Sequence, residues 1–253
     1  MTDGTKANAT VVIFDDLEAE EERLEAILDG LDDAAWRSPS AAEGWSVADV
    51  VLHLAQSEDA VVLSAAGGDG FERLTTESSG VDDGAERMVQ AERGEPAVAF
   101  ERWKASRRAA LAALRAADPQ QPIPWVAGRI KPATLATTRL AEHWAHGLDI
   151  TGPLGAPFPD TDRLRHIAWL AHGTLPYAFA LAGHDAHPVY CELTGPSGDT
   201  WRYGPTEADS RITGSAGAFC RVGAQRLAPE DSGLVATGPN GDAALRVLRT
   251  YAG

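Results

Sequence analysis

The stretch Thr138-Arg139-Leu140-Ala141-Glu142-His143-Trp144-Ala145-His146-Gly147-Leu148-Asp149-Ile150 decides how the chain is read. Alanine and leucine favour helix, and nothing breaks the run before Gly152-Pro153. At about 100° per residue, Arg139, Glu142, His146 and Asp149 share one narrow stripe, while Leu140, Trp144 and Leu148 take the other side. Glu142 and His146 stand four residues apart, so both side chains can reach one cation. The same spacing also suits a solvated helix face carrying a weak Glu–His pair. A third donor elsewhere in the chain would decide between the two.

Working outward, three more amphipathic helices precede this one. Leu17, Leu24, Ile27, Leu28 and Leu31 mark the apolar face of a helix over 14–31, with Glu18, Glu20, Glu21, Glu22 and Glu25 as its acidic outer face. Residues 36–44 read as a loop. Ser46 then opens a second helix, with Asp49 placed to complete a capping box and Val47, Val50, Val51, Leu54, Val61 and Val62 facing inward. His53 lies at the edge of that apolar face; alone, it would read as a core histidine with locally satisfied nitrogens. Residues 67–94, with Gly-Gly, Ser-Ser-Gly and Asp-Asp-Gly, predict a long connection ending in a short helix. A third helix spans 96–117, a loop holds Pro122, Pro124 and Gly128, and the fourth helix starts at Pro132 or Thr134. Four such helices predict an antiparallel bundle.

Past the linker at 152–159 comes a fifth helical pattern, 163–181, interrupted at Pro176. The texture then changes. Residues 189–194 and 200–203 read as strands joined by Gly195-Pro196-Ser197-Gly198, with further strands at 210–213 and 233–237 and helices at 216–225 and 241–250. The predicted class is α+β, mainly α. A helical bundle over 1–158 leads through a connecting helix over 159–184 to a small α+β domain over 185–253.

Composition narrows the function classes. A formal net charge of −15 and the absence of a basic stripe argue against a nucleic-acid partner. The most basic short stretch, Arg102, Lys104, Arg107 and Arg108, reads as a solvated helix face. No apolar run approaches the roughly 20 residues that span a bilayer, and the one near the N-terminus is too short for a signal peptide. Cys191 and Cys220 form no C-x-x-C motif and read as reduced, buried thiols of a cytoplasmic protein.

His53 on the second helix and Glu142 and His146 on the fourth would meet in a bundle core, where such folds build metal sites. Two imidazoles and a carboxylate leave open coordination positions, as catalytic sites do; Zn2+ fits best, though iron, manganese or nickel suit the same set. His143 is off the stripe and is excluded as a ligand, while Asp149 could orient an imidazole from behind.

The segments Gly44-Trp45-Ser46-Val47-Ala48-Asp49-Val50-Val51-Leu52-His53-Leu54 and Arg139-Leu140-Ala141-Glu142-His143-Trp144-Ala145-His146-Gly147-Leu148-Asp149 resemble the DinB-like superfamily, in its mycothiol-dependent maleylpyruvate isomerase branch. The tail is similar to that branch's C-terminal domain, more loosely, through Arg211-Ile212-Thr213-Gly214 and Ala218-Phe219-Cys220-Arg221. The resemblance implies a DinB-like bundle, His53, Glu142 and His146 as metal ligands, and mycothiol or bacillithiol as the thiol that the metal activates. It further implies a site arginine from the C-terminal domain, best matched by Arg221 and next by Arg226.

The leading expectation is therefore a metal- and mycothiol-dependent transferase or isomerase acting on a small electrophile, with Arg221 or Arg139 holding a carboxylate. Arg139 has an alternative, an intrahelical pair with Glu142. Two other functions stay open: a thiol-independent metal-dependent hydrolase, and a non-catalytic metal-binding protein. The sequence is compatible with a monomer or a homodimer.

Overall fold

The computed structural model describes residues 3–75, 81–126 and 128–250, and the side chains of all of these except 3–11, 73–75, 81 and 82. The Ser78-Ser79-Gly80 part of the expected connection lies outside the described residues. The chain divides into two compact units, one running to Phe158 and the other from Pro159 to Tyr251.

The first unit is built on α1 (Asp3–Asp29), α3 (Val47–Ala66), α6 (Pro96–Ala116) and α7 (Pro132–Leu154). Helix α1 starts well before the amphipathic pattern does, since no proline interrupts the residues ahead of Phe14. The capping box of α3 is present: the Ser46 hydroxyl accepts from the Asp49 amide, and the Asp49 carboxylate accepts from the Ser46 amide at 2.9 Å. The first two residues of the expected loop, Trp36 and Arg37, instead end α2 (Asp33–Arg37), which forms behind an Asp32 cap. It buries Trp36 against Phe100, ring centroids 5.3 Å apart. The expected long connection carries α4 (Gly70–Thr75) and α5 (Val81–Glu92), more helix than the sequence pattern indicated.

The expected loop after α6 is instead an antiparallel pair, β1 (Ile123–Trp125) with β2 (Gly128–Ile130). Pro124 is tolerated there because each strand of a two-stranded ribbon has a free edge. Helix α7 also runs through Gly152-Pro153, where it was expected to stop. The missing Pro153 amide would have bonded the Asp149 carbonyl, and the Ala41 amide takes that carbonyl instead at 2.8 Å.

Side-chain pairs fix the helix directions. Arg115 reaches Asp15 and Glu18 while Arg107 and Arg108 reach Glu25, so α1 and α6 are antiparallel. His53 faces Glu142 while Glu58 binds Arg139, so α3 and α7 are antiparallel. Leu24 and Leu28 share a core with Val47, Val50 and Val51, while Glu21 lies level with Glu58 across His143; α1 and α3 are thus antiparallel too. The bundle is therefore up–down–down–up, and the long connection from α3 returns the chain to begin α6 in the same direction. Gly147, in the middle of α7, makes room for Phe158: a Cβ there would lie 2.5 Å from the ring. The Arg23 guanidinium stacks on the same ring, 3.7 Å from its centroid.

The second unit contains α8 (Leu164–Gly173) and α9 (Leu175–Leu181), broken at Thr174 with Pro176 in the first turn of α9. Strands β3 (Val189–Thr194), β4 (Thr200–Tyr203), β5 (Ser210–Ser215) and β6 (Val235–Thr237) form one sheet in the order β4-β3-β5-β6. Only the β3–β5 pairing is parallel, aligning Cys191 with Ile212. Helices α10 (Ala216–Gly223) and α11 (Gly241–Val247) complete the unit. Val189, Cys191, Leu193 and Ile212 are buried in it, and α8 and α9 pack within it, against α10 and α11, rather than standing apart as a connector. The molecule is mainly helical with a small sheet, the α+β class that the patterning predicts. Among the described residues, no helix is long and apolar enough to cross a membrane.

Candidate metal centre

Antiparallel packing of α3 on α7 brings His53, Glu142 and His146 together, with one donor atom from each within 4.8 Å of the others. His53 Nε2 lies 3.7 Å and His146 Nε2 3.5 Å from Glu142 Oε2. Those separations are too long for hydrogen bonds. They sit close to the edge of a tetrahedron built on zinc bonds of about 2.1 Å, roughly 3.4 Å. The donor set and its spacing therefore fit a small divalent cation.

The surroundings prepare each donor. His146 Nδ1 donates to Asp149 Oδ2 at 2.9 Å, which fixes the tautomer and turns Nε2 toward Glu142. Burial alone would depress the His146 pKa, but Asp149 and Glu142 more than offset it and hold the ring above its usual range. Burial pushes the Glu142 carboxyl up, yet the His146 and His53 rings and the Arg139 charge outweigh it and keep the group well below the usual carboxylate range. Burial holds His53 below the usual imidazole range, against the pull of Glu142, so its ring is neutral. Trp45, just ahead of α3, leans over both imidazoles, 5.1 Å from His53 and 6.5 Å from His146 between ring centroids. Its indole N–H donates to Glu86 on α5. Trp45 was visible in the sequence only as part of the Gly44–Leu54 resemblance.

A second cluster, Glu21, Glu58 and His143, lies deeper. Both nitrogens of His143 are already committed. Trp103 Nε1 donates to Nε2 at 3.1 Å, and Nδ1 donates to the Arg139 carbonyl at 2.9 Å. Burial, then the nearby Arg139 charge, pushes its pKa down to about 3. His143 is thus a neutral core histidine with both ring nitrogens occupied. Around it each of the four helices buries an ionisable residue: Glu21 on α1, Glu58 on α3, Arg107 on α6 and Arg139 on α7, each at most 5% exposed.

Two sequence expectations change here. Arg139 is neither a substrate clamp nor the intrahelical partner of Glu142; its Nε donates to Glu58 Oε1 at 2.8 Å in the interior. The Arg102–Arg108 stretch is not simply a solvated face either. Arg107 is buried against Glu21 and Glu25, and Arg102 binds Asp59 and Glu92. Glu21 and Glu58 were missed although each occupies a core-facing position, in the series Leu17-Glu21-Leu24-Leu28 and Leu54-Glu58-Val61.

In the second unit, Arg221 on α10 holds Asp160 in a bidentate pair, both bonds 2.8 Å. Arg226 donates to the Ala224 carbonyl at 2.6 Å. Cys191 and Cys220 are free and fully buried, and burial raises both thiols, Cys191 to about 12. Neither is a nucleophile at neutral pH.

With this geometry in view, the family model described as the mycothiol maleylpyruvate isomerase N-terminal domain matches residues 17–151, a span that carries all three metal-type donors. The chain belongs to that family. Its relatives include two Mycobacterium tuberculosis proteins from different strains, each described only as uncharacterized. Each is 35% identical over 245 residues, covering 94% of either chain. The isomerase-type fold is also that of the crystal structures of the mycothiol-dependent maleylpyruvate isomerase and of a mutant of it. Both have a TM-score of 0.62 at 16% identity, over 90% of this chain and 92% of theirs.

Proposed function

We propose that the protein is a divalent-metal enzyme, with zinc the best fit, that uses mycothiol to act on a small electrophilic substrate as a transferase or isomerase. The carrying observation is the three-donor cluster of His53, Glu142 and His146, with His146 oriented by Asp149. A cation bound there would hold a low-molecular-weight thiol as its thiolate at neutral pH. The chain's own residues prepare the site for it. Glu142 stays anionic, His53 stays neutral, and the Asp149 carboxylate keeps the His146 Nε2 lone pair turned inward. Trp45 walls one side of the two imidazoles.

Two further observations support an external thiol. Cys191 and Cys220 are buried with raised pKa values, so the chain offers no thiolate of its own. The family's described member is mycothiol-dependent. For the substrate carboxylate we assign Arg221, whose bidentate grip on Asp160 already has the required shape and must exchange one carboxylate for another. Cobalt-substituted protein tests the reading. Added mycothiol should produce a sulfur-to-cobalt charge-transfer band and lead to turnover with a panel of activated electrophiles, maleylpyruvate among them. A cobalt protein whose spectrum ignores every thiol would favour a hydrolase or a non-catalytic metal binder instead.

A further inference from the structure

The buried charge layer abuts the candidate metal centre. Glu58 follows His53 by five residues on α3, and Arg139 precedes Glu142 by three on α7. An arginine three residues ahead of a glutamate on a helix is a natural partner for it. Paired that way, the Arg139 guanidinium would hold the carboxylate that a cation at this centre requires. In the fold it does not. Glu58 takes Arg139 Nε at 2.8 Å, with side chains only 1% and 3% exposed, while Glu142 Oε2 faces the two imidazoles.

We propose that Glu58 is a positioning residue for the metal centre: by holding Arg139 against α3, it keeps the guanidinium off Glu142 and leaves that carboxylate to a divalent cation. The inference rests on His53, Glu142 and His146 being the ligands. A simple clasp between the two helices explains the pair less well. A buried ion pair is rarely more stabilising than an apolar pair of similar volume, and this one is incompletely bonded, with Glu58 Oε2 and Arg139 Nη2 buried and lacking hydrogen-bond partners. Glu58 also balances a positive charge that would otherwise stand uncompensated beside a cation site.

The test is Co2+ titration of metal-free protein, read by visible absorption and by competition with a chelator, with thermal unfolding recorded for every variant. Glu58→Gln keeps the side chain's shape and removes its charge, and it should weaken Co2+ binding by about tenfold or more. Adding Arg139→Gln to that variant removes the competing cation and should return affinity to within about threefold of wild type. A helix clasp predicts the reverse, with the double variant no tighter than the single. Unchanged affinity in Glu58→Gln, or no recovery in the double variant, overturns the proposal while leaving the ligands standing. A wild-type chain that takes up no Co2+ overturns both. Should Glu58→Gln fail to fold, Arg139→Gln alone decides: folded protein binding Co2+ about as tightly as wild type supports the proposal, and a tenfold loss refutes it.

Discussion

Asp149 offers a graded test of how the candidate centre is supported. The residue is 2% exposed, and its carboxylate takes the 2.9 Å bond from His146 Nδ1. Partners behind a ligating imidazole are typically worth 10- to 100-fold in metal affinity, about 1.4–2.7 kcal/mol. Asp149→Asn keeps an oxygen that can accept from Nδ1–H, so the tautomer survives and only the charge is lost. The expected fall in Zn2+ affinity is about tenfold. Asp149→Ala leaves Nδ1–H buried without an acceptor and frees the ring to change tautomer or rotate, so the fall should approach about 100-fold. Asp149 also favours the imidazolium in the metal-free chain, and protons then compete with the metal. The full effect is therefore read near pH 8, by chelator competition, with unfolding curves confirming that both variants are folded. Wild-type affinity in Asp149→Ala, or a larger loss in Asn than in Ala, would refute this account of His146.

Three other perturbations follow from the same geometry. Burial, then the charge of Glu58, holds the Glu21 carboxyl well above its usual range, so the folded chain binds a proton that the unfolded chain releases above about pH 4.5. That stabilisation is lost as pH rises toward the folded-state value. The stability gap between Glu21→Gln, which mimics the protonated form, and wild type should widen in favour of the variant by up to about 1.4 kcal/mol per pH unit. A gap constant from pH 5 to pH 8 in thermal melts would contradict it. Gly147→Ala sets a methyl group 2.5 Å from Phe158 and should cost about 1–3 kcal/mol in denaturant unfolding, relieved by Phe158→Ala; an additive double variant would show the contact to be immaterial. Arg221→Ala should leave metal content and melting intact while cutting thiol-dependent turnover about tenfold; unchanged turnover would move attention to Arg226.

Much of the fold was legible because periodicity and punctuation agreed. The apolar spacing from Leu17 to Leu28, the Ser46–Asp49 box and the Gly195–Gly198 turn all lie on elements that form where their patterns place them. Pro124 and Pro153 misled for one reason, that a proline's cost depends on who satisfies the backbone around it. In the β1–β2 pair each strand has a free edge, and at the end of α7 the Ala41 amide takes the freed carbonyl. Trp36 drew a helical turn into a stretch that its Ser, Pro and Gly neighbours marked as loop, because burying an indole outweighs weak local preference. At the candidate site, helical spacing on α7 and one histidine on α3 were enough to nominate the three donors. The buried charges escaped because Glu21 was read with the outer acids around it, Arg107 with its exposed neighbours and Glu58 not at all. Yet Glu21, Glu58 and Arg107 each interrupt a core-facing apolar series, and that interruption was the available signal. Pairing across helices was not readable, which is why Arg139 was assigned to Glu142 or to substrate instead of Glu58.

Metal stoichiometry tests the central claim most directly. Elemental analysis of purified chain, with zinc reconstitution of metal-free protein, should give about one divalent ion per chain. His53→Ala, Glu142→Ala and His146→Ala should each lose most of it while remaining folded. Full metal retention in all three variants, or a folded wild type that resists reconstitution, would contradict the account.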